Sequence, residues 1–373
     1  MALAEVNSAG EIESRSKLDS VTPLVVCAAV FAVSFLVWFA FVGAFVPQRV
    51  AFTLFGKEID IPNTHAKLLG GAVLGSWALI ACAFCAEFLI VGWKNSSLRH
   101  LTLDRSRSAW SDVAVFLIEV LHINRFILIV LTLGIGLVSG DWLHDKVEAW
   151  TGVHFALADW SLPGQVVFIY LSYTFLDYWA HRVQHHRVFW PLHRFHHSAE
   201  DFYILTASRV HPADLSSLFI VMAPLAFMAP SAEAMLAIFV LTGFLRFVVH
   251  SRIPSNFGWA GRWLVQSPVD HRMHHILDMS QGQGGHYSLL PLWDQLFGTW
   301  RGGGAADLEI GVDDQAYRHG LWVFPDMLRD YWQFLKEVAA TLGVGAKSAE
   351  LPPQEQHARP LAVNDAAAQR PAA

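Results

Sequence analysis

Charged residues are scarce in this chain. They make up 16% of its 373 residues, whereas globular domains average about 25%. Apolar residues reach 54%, and there are 15 Trp and 26 Phe. This balance excludes an ordinary water-soluble protein and indicates a chain whose surface meets lipid. The formal net charge of -6 argues against a nucleic-acid partner, which normally requires a basic patch.

Cysteine is rarer still. The three cysteines, Cys27, Cys82 and Cys85, all lie inside apolar runs, where they are typical of small buried hydrophobic residues. A disulfide framework and a thiolate metal site are therefore excluded. The sequence also contains no Gly-rich phosphate loop, no zinc-protease HExxH motif and no flavin or nicotinamide fingerprint. No bound nucleotide cofactor is predicted.

Long apolar stretches predict membrane spans, because about 20 helical residues cross the hydrocarbon core of a bilayer. The four candidate spans are Val21–Val46, Leu68–Val91, Val113–Val138 and Val166–Trp179. The first exceeds the apolar core of about 7–15 residues in a secretory signal, so we expect a retained helix. The third carries several polar residues, and an interfacial helix that becomes a half-span is the alternative.

Two shorter apolar runs, Leu215–Ala229 and Met235–Val249, follow with Pro230 between them. Each is short for a vertical span, and together they predict a helical hairpin that dips into the bilayer. The loop 93–110 is basic and the loop 139–161 is acidic, so the positive-inside rule places the first in the cytoplasm. We therefore expect an all-α integral membrane bundle, about four spans plus the hairpin, with a cytoplasmic histidine-rich cap.

Histidine is abundant and patterned, and twelve of the 19 histidines lie between residues 181 and 286. Because positions i, i+3 and i+4 share a helix face, a block with this spacing can aim two or three imidazoles at one point. The three blocks are His181 and His185, then His193, His196 and His197, then His271, His274 and His275. His211, His250 and His286 are isolated candidates, whereas His186 lies off the face of the first block.

This pattern indicates a metal site. Eight or more converging imidazoles would charge and repel in mild acid unless a metal ion kept them deprotonated. Two ions with four or five nitrogen ligands each would use the whole set, and all-imidazole sites suit Fe, Zn, Cu or Ni. Asp177 lies one turn before His181 and Asp270 precedes His271. These two carboxylates are candidates to accept the second ring N–H of a ligand histidine.

Two functions from other classes compete with this interpretation. A metal or proton transporter would place ionisable residues near mid-bilayer inside its spans, and a bis-histidine haem carrier would need paired histidines inside spans and far fewer of them. The histidine blocks instead follow the apolar runs. A solvated helix face that is rich in histidine by chance would not repeat three times.

The stretch from Asp177 to Trp300 resembles the fatty acid hydroxylase superfamily, an integral-membrane group that includes sterol desaturases, lipid hydroxylases and alkylglycerol monooxygenase-like enzymes. The matching motifs are Asp-Tyr-Trp-Ala-His-Arg-Val-Gln-His at 177–185, Leu-His-Arg-Phe-His-His-Ser at 192–198, His-Pro at 211–212, His-Arg-Met-His-His at 271–275 and Pro-Leu-Trp-Asp-Gln-Leu-Phe-Gly-Thr-Trp at 291–300. One departure is Gly285-His286-Tyr287-Ser288, where many relatives have an Asn-Tyr/Phe-Gly turn. The first 160 residues carry no family motif.

The resemblance implies two iron ions, with zinc as a possible substitute, bound by histidine at the cytoplasmic face. Carried over by position, the metal-binding and catalytic residues are His181, His185, His193, His196, His197, His271, His274 and His275. His250 resembles an additional family ligand, and His211 and His286 complete the candidate metal set. His286 either supplies a ring nitrogen or lines the substrate entrance.

The resemblance further implies an enzyme that uses O2 to hydroxylate or desaturate a lipid. Electrons would come from a ferredoxin, a rubredoxin or a cytochrome b5-type donor with its reductase. No nucleic acid is expected as a partner, and membrane lipids are expected to surround the protein. The sparse lysine and the Ala-rich tail favour a bacterial inner membrane.

The order of these features predicts five regions. They are a polar cytoplasmic N-terminus (1–20), an N-terminal transmembrane region (21–160), a hydroxylase-like catalytic region (161–305), a C-terminal helical segment (306–344) and a disordered tail (345–373). The tail has no apolar period and is rich in Ala, Pro, Gln and Glu, which is typical of disorder.

Overall fold

The structure, a computed structural model, describes most of the chain between residues 32 and 343. The described residues are 32–33, 36–37, 39–54, 56–66, 77–104, 106–120, 123–132, 135–277, 285–301, 307–313 and 317–343. The predicted polar N-terminus (1–20) and the predicted disordered tail (345–373) lie outside them. The predicted first span is described in part, and its residues 39–45 are helical.

A two-stranded hairpin precedes the main helices. Strand β1 (Arg49–Leu54) pairs antiparallel with β2 (Lys57–Pro62). Gly56 lies in the turn with a φ of 80°, a left-handed conformation that costs little without a Cβ. This β-hairpin was not predicted, although the mostly helical character of the described residues agrees with the expected all-α class. The long windows that detect membrane spans do not detect strands of six residues.

Helix α1 (Leu79–Asn95) covers the described part of the second predicted span and ends in a bend. Gly92 leaves the helical conformation with a φ of 70°. The chain then continues into the short helix α2 (Ser97–Arg99) and a π-helical turn (His100–Asp104). The axis changes direction by 65° between α1 and the following segment, Ser97–Leu103. A positive φ at glycine allows this break without side-chain strain.

Glu87, an acid inside apolar α1, is fully buried. Its carboxylate accepts hydrogen bonds from the backbone N–H of Ser97 at 2.6 Å, from the Ser97 hydroxyl at 2.7 Å and from the backbone N–H of Arg252 at 2.7 Å. A buried carboxylate is tolerated only when it is hydrogen-bonded in this way. Glu87 therefore fastens the bend after α1 to the distant chain segment at Arg252.

The predicted third span, Val113–Val138, is not a single helix. The structure divides it among α3 (Arg107–Val120), α4 (Ile123–Leu131) and α5 (Ile135–Thr151). Glu119 of α3 is half-buried and pairs with the half-buried Arg246 at 2.7 Å. An acid inside the predicted span is thus held in an ion pair with a residue that is distant in the sequence.

Helix α6 (Leu162–Gln184) contains the fourth predicted span and extends it beyond its polar end. Later in the chain, beyond the histidine-rich residues 181–197, lie a π-helical segment (Ser217–Met222), α8 (Ala223–Phe227) and α9 (Ala232–Val249). These helices share a buried apolar core that contains Ile169, Leu225 and Ile238. Both predicted arms of the helical hairpin are helical. The second arm begins three residues before the predicted start and, with 18 residues, is long enough to cross a bilayer, whereas it was expected to be too short.

Gly140 permits the close contact between α5 and α8. A Cβ at this position would lie 2.3 Å from the carbonyl oxygen of Ala223 and 2.6 Å from the Cβ of Ala226. Both distances are far inside van der Waals contact, so only glycine fits. Helix α8 is thereby held against α5.

The remaining helices build the histidine-rich part. They are α7 (Trp190–His197), α10 (Gly258–Trp263), α11 (Pro268–His274), α12 (Leu292–Leu296) and α13 (Val323–Thr341). The 3-10 turns are Leu157–Asp159, Ile204–Ser208 and Gly320–Trp322. Helix α7 lies between α3 and α13: Phe195 packs in one cluster with Val115 and Met327, and Leu192 packs with Phe334.

The chain is mostly helical, as expected, but fewer helices qualify as spans than the sequence predicted. Among the described residues, α9 is the one helix that is both long and apolar enough to cross a bilayer. The bent pair of α1 and Ser97–Leu103 also qualifies if its two arms are counted as one span. The predicted first span lies mostly outside the described residues, and the second and third are described in part.

Candidate metal centre

Nine histidines come together from four places in the chain. The first cluster contains His181, His185, His193, His197 and His274, and the second contains His196, His250, His271 and His275. Within each cluster, one ring nitrogen per residue lies within 4.8 Å of the corresponding atom of every other member. The end of α6, all of α7, the end of α9 and α11 supply these rings.

Helix geometry divides the histidine blocks between the two clusters. On α7, His193 and His197 are one turn apart and join the first cluster, whereas His196 joins the second. On α11, His274 joins the first cluster and the flanking His271 and His275 join the second. Each of these blocks thus serves two neighbouring points rather than the one point expected from its spacing.

Backbone carbonyls determine which ring nitrogen carries hydrogen in the first cluster. His181 Nδ1 lies 2.9 Å from the carbonyl of Tyr287, and His274 Nδ1 lies 2.8 Å from the carbonyl of Gly285. A carbonyl only accepts, so both Nδ1 atoms donate, and the Nε2 atom of each neutral ring bears a lone pair. These two Nε2 atoms are 3.0 Å apart. Two lone pairs at this distance repel each other unless a cation lies between them or beside them.

The second cluster repeats the arrangement. His250 Nδ1 donates to the carbonyl of Arg246 at 2.8 Å, and His196 Nδ1 donates to that of Arg209 at 3.2 Å. Their Nε2 atoms face each other at 3.4 Å. Among the described residues, neither ring nitrogen of buried His275 has a hydrogen-bond partner, which is costly for a buried polar group. The donor set therefore fits a bound cation in each cluster.

Burial keeps all nine rings neutral. Removal from water lowers the pKa of His181 to about 4 and that of His250 to about 3. For the other seven, burial first and neighbouring histidines second hold the pKa well below the ordinary value of 6.5. Neutral imidazole is the form that binds a metal ion.

Two predicted ligands lie outside both clusters. His211 uses both ring nitrogens elsewhere: Nε2 donates to the carbonyl of Met327 at 2.9 Å, and Nδ1 accepts from the Ala213 N–H at 3.1 Å. His286 Nε2 accepts from the Arg301 N–H at 3.3 Å. The structure therefore assigns His211 to packing between α7 and α13, and it leaves His286 beside the centre but not in it.

The two predicted carboxylates do not orient the histidine rings. Asp270 accepts from the Ser267 hydroxyl at 2.6 Å, at the start of α11, and none of the described hydrogen bonds joins Asp177 to a histidine. Backbone carbonyls take the role expected of these carboxylates. The sequence could not reveal this choice, because every residue carries a carbonyl.

Asp294 is a site residue that the sequence analysis did not single out, although it lies inside the 291–300 motif. Its buried carboxylate accepts from the N–H of Tyr287 at 3.0 Å, the N–H of Ser288 at 3.2 Å and the Thr299 hydroxyl at 2.7 Å. Burial raises the pKa of Asp294 to about 6. It thereby fixes the loop 285–288, whose carbonyls hold His181 and His274.

A buried ion pair supports the second cluster from the other side. Arg209 and Asp112 are both completely buried and in contact. The guanidinium also donates to the Ser108 carbonyl at 2.7 Å and to the Ser198 hydroxyl at 3.1 Å. Because these hydrogen bonds compensate for desolvation, Arg209 is held firmly between α3 and α7. Its own carbonyl then receives the Nδ1–H of His196.

Comparisons with known proteins agree with this site. Residues 166–299 match the family model described as fatty acid hydroxylase, which confirms the resemblance inferred from the motifs. Alkylglycerol monooxygenase of Homo sapiens is 29% identical over 160 residues, 42% of this chain and 35% of that protein. Ornithine lipid hydroxylase OlsE of Rhizobium tropici is 29% identical over 149 residues, 39% of this chain and 45% of that protein.

The similarity is regional. The match to alkylglycerol monooxygenase of Xenopus tropicalis, 28% identical over 156 residues, covers 41% of this chain and 34% of that protein. The chain therefore spans about a third of the length of the alkylglycerol monooxygenases that it matches. No solved structure matches the chain.

The neutral histidines predict that the metal-free protein is acid-labile. An unfolded histidine has a pKa of about 6.5, so below this pH the unfolded chain binds protons that the buried rings of the folded clusters, whose pKa values are lowered, do not bind. Stability is therefore fully present above about pH 6.5 and is lost as the pH falls below it. Thermal unfolding of chelator-treated protein across this range measures the effect.

His154 provides the control for this pH profile. It is exposed, and its hydrogen bond with Glu148 raises its pKa, so H154A should keep the steep acid dependence. An unfolding midpoint that stays constant between about pH 8 and pH 5 would contradict the neutral state of the clusters.

Asp294→Ala should destabilise the protein by about 2–4 kcal/mol, because it leaves two buried N–H groups and a hydroxyl without an acceptor. Asp294→Asn keeps one carbonyl acceptor and should cost less. Asp307 is exposed, and D307A should change stability by less than about 0.5 kcal/mol. Denaturant unfolding compares the three variants; equal stability of D294A and D307A would refute the positioning role.

Proposed function

We propose that this chain is a membrane-bound non-haem di-iron oxygenase that hydroxylates a lipid with O2 and electrons from a separate donor. The observation that carries the proposal is the pair of adjacent buried clusters, in each of which unprotonated Nε2 atoms face one another. Such donor sets suit borderline first-row metal ions rather than hard ions that prefer oxygen ligands.

One metal ion would be held by each cluster. The first cluster offers five nitrogens and the second offers four, and their rings are in contact, since the centroids of His197 and His275 are 4.3 Å apart. When bound, two iron ions supply the activation of O2 and the oxidising power that side chains lack. Zinc would bind the same ligands without redox chemistry.

The protein's own contribution is to orient the ligands and to exclude water. Carbonyls of the loop 285–288 fix the tautomer of two rings in the first cluster. Aromatic side chains cover the rings: the Phe202 ring lies 5.4 Å from that of His250, Trp190 lies 5.3 Å from His197, and Tyr287 lies 5.3 Å from His185. A dry surrounding protects a strong oxidant from quenching by solvent.

Hydroxylation is the preferred outcome, and desaturation is the alternative. Both begin with removal of hydrogen from carbon, and the histidine geometry does not separate them. Two relatives are named as a monooxygenase and a hydroxylase, and one of these names specifies a lipid. These names favour oxygen insertion into a lipid substrate.

We further propose an inner-membrane location with the centre on the cytoplasmic side. Apolar side chains of α9, among them Leu236 and Phe239, are exposed, as expected for a helix that meets lipid. The basic loop 93–110 lies at the cytoplasmic face by the positive-inside rule. A ferredoxin, rubredoxin or cytochrome b5-type donor would dock from that side.

His274→Ala should lose bound metal, whereas His211→Ala should keep it. Both residues are buried histidines, so the two variants lose the same buried side chain. Only His274 belongs to a cluster. Purified wild-type protein should hold about two ions per chain and show no haem absorbance. Elemental analysis measures this; equal metal content in the two variants would refute the assignment of the clusters.

Oxygen incorporation tests the reaction itself. A host expressing the wild-type protein should gain one oxygen atom in one lipid class, and growth under isotopically heavy O2 should label that atom. The H274A variant should show no such lipid. A product that instead lacks two hydrogens would establish desaturation, and a transporter would change cellular metal content with no change in lipids.

A further inference from the structure

An apolar groove opens between α6, α9 and α10. Its volume is about 750 Å³, within the range of about 300–1,000 Å³ that small-molecule sites occupy. Leu171 of α6, Leu241 of α9 and Trp259 of α10 line it, and all three are exposed. The groove is therefore open on the surface that carries the exposed apolar residues of α9.

A second cavity of about 410 Å³, here called the chamber, adjoins the groove, because Trp259 and Trp263 line both cavities. Arg262, Asp270 and Trp300 also line the chamber. Asp270 directly precedes His271, a member of the second cluster. The chamber thus lies between an apolar groove and the part of α11 that carries the second cluster.

Arg262 is the cationic group of this chamber. Its guanidinium carbon lies 5.0 Å from the ring centroid of Trp300 and 5.7 Å from that of Trp263. No carboxylate of the described residues forms an ion pair with Arg262, and Asp270 bonds instead to the Ser267 hydroxyl. Aromatic contacts restrict the guanidinium while its N–H donors suit a carboxylate or phosphate.

We propose that the groove and the chamber bind the lipid substrate as an amphiphile with an anionic head group. The apolar chain lies in the groove against Trp259 and Trp263, and a carboxylate or phosphate of the head contacts Arg262. This inference rests on the proposed lipid oxygenase function, because the amphiphile is assigned as its substrate. Binding of the amphiphile requires no turnover, so it is measured separately from the reaction.

Quenching of tryptophan fluorescence by brominated lipids tests the site. Dibromostearate carries a carboxylate, and its glycerol monoester is neutral with the same chain. For the wild-type protein in a non-ionic detergent, both should quench, and dibromostearate should bind about tenfold more tightly, the gain expected for one charge-assisted hydrogen bond. The Trp259→Phe, Trp263→Phe double variant should lose the saturable part of the quenching by both compounds, whereas the other tryptophans keep their non-saturable quenching from the micelle.

Arg262→Gln should abolish the preference for dibromostearate and leave binding of the monoester unchanged. Arg318→Gln is the matched control, because Arg318 is also an exposed arginine on a tryptophan, 5.2 Å from the ring of Trp322. This control should keep the tenfold preference. Inorganic phosphate alone should not displace dibromostearate, since it lacks the chain.

Three results would overturn the inference: equal affinities of the wild-type protein for the two lipids, retention of the preference in R262Q, or full quenching in the double tryptophan variant. The last result would assign the quenching to the detergent micelle. Metal content is measured on the same samples and should be unchanged in R262Q. Wild-type protein that contains no bound metal would count against the proposed function. Wild-type protein that contains metal but shows no head-group preference would count against the amphiphile site alone.

Discussion

The close approach of unprotonated imidazole nitrogens is the constraint on which the rest of this structure depends. His181 and His274 each donate Nδ1–H to a carbonyl, and their Nε2 atoms then meet at 3.0 Å. His196 and His250 do the same at 3.4 Å. Such contacts are repulsive in a dry interior without a cation. The surrounding helices must therefore hold the rings in place and keep water out.

Backbone groups provide most of that support. The loop 285–288 offers two carbonyls to the first cluster, and Asp294 anchors this loop through buried hydrogen bonds. On the opposite side, Arg209 is fixed by Asp112 and presents its carbonyl to His196. Two buried carboxylates thus act on the centre indirectly, one through each cluster. The carboxylates that support the histidine rings are therefore not the ones that neighbour the histidines in the sequence.

The exterior of the molecule complements its polar centre. Exposed apolar residues on α6 and α9 border a groove that leads to a chamber containing Arg262. The same arrangement that buries the imidazoles thereby places an amphipathic cavity next to α11. The similarity to known proteins covers this histidine-rich region and begins at residue 166. The preceding helices α1 and α3 pack against α9 and α7, respectively.

The sequence by itself determined the helical class, the hairpin of α8 and α9, the resemblance to the fatty acid hydroxylase superfamily and the histidines to consider. Periodicity and residue type are local properties, so they can be recognised in the sequence without knowledge of the fold. Tertiary structure decided the rest. It divided the blocks of α7 and α11 between two clusters and placed His211 outside both, with its ring nitrogens paired elsewhere. Backbone carbonyls, rather than Asp177 or Asp270, are the partners of four of the rings. It also divided the expected third span among three helices, because a hydropathy window averages over residues and does not register where a helix ends.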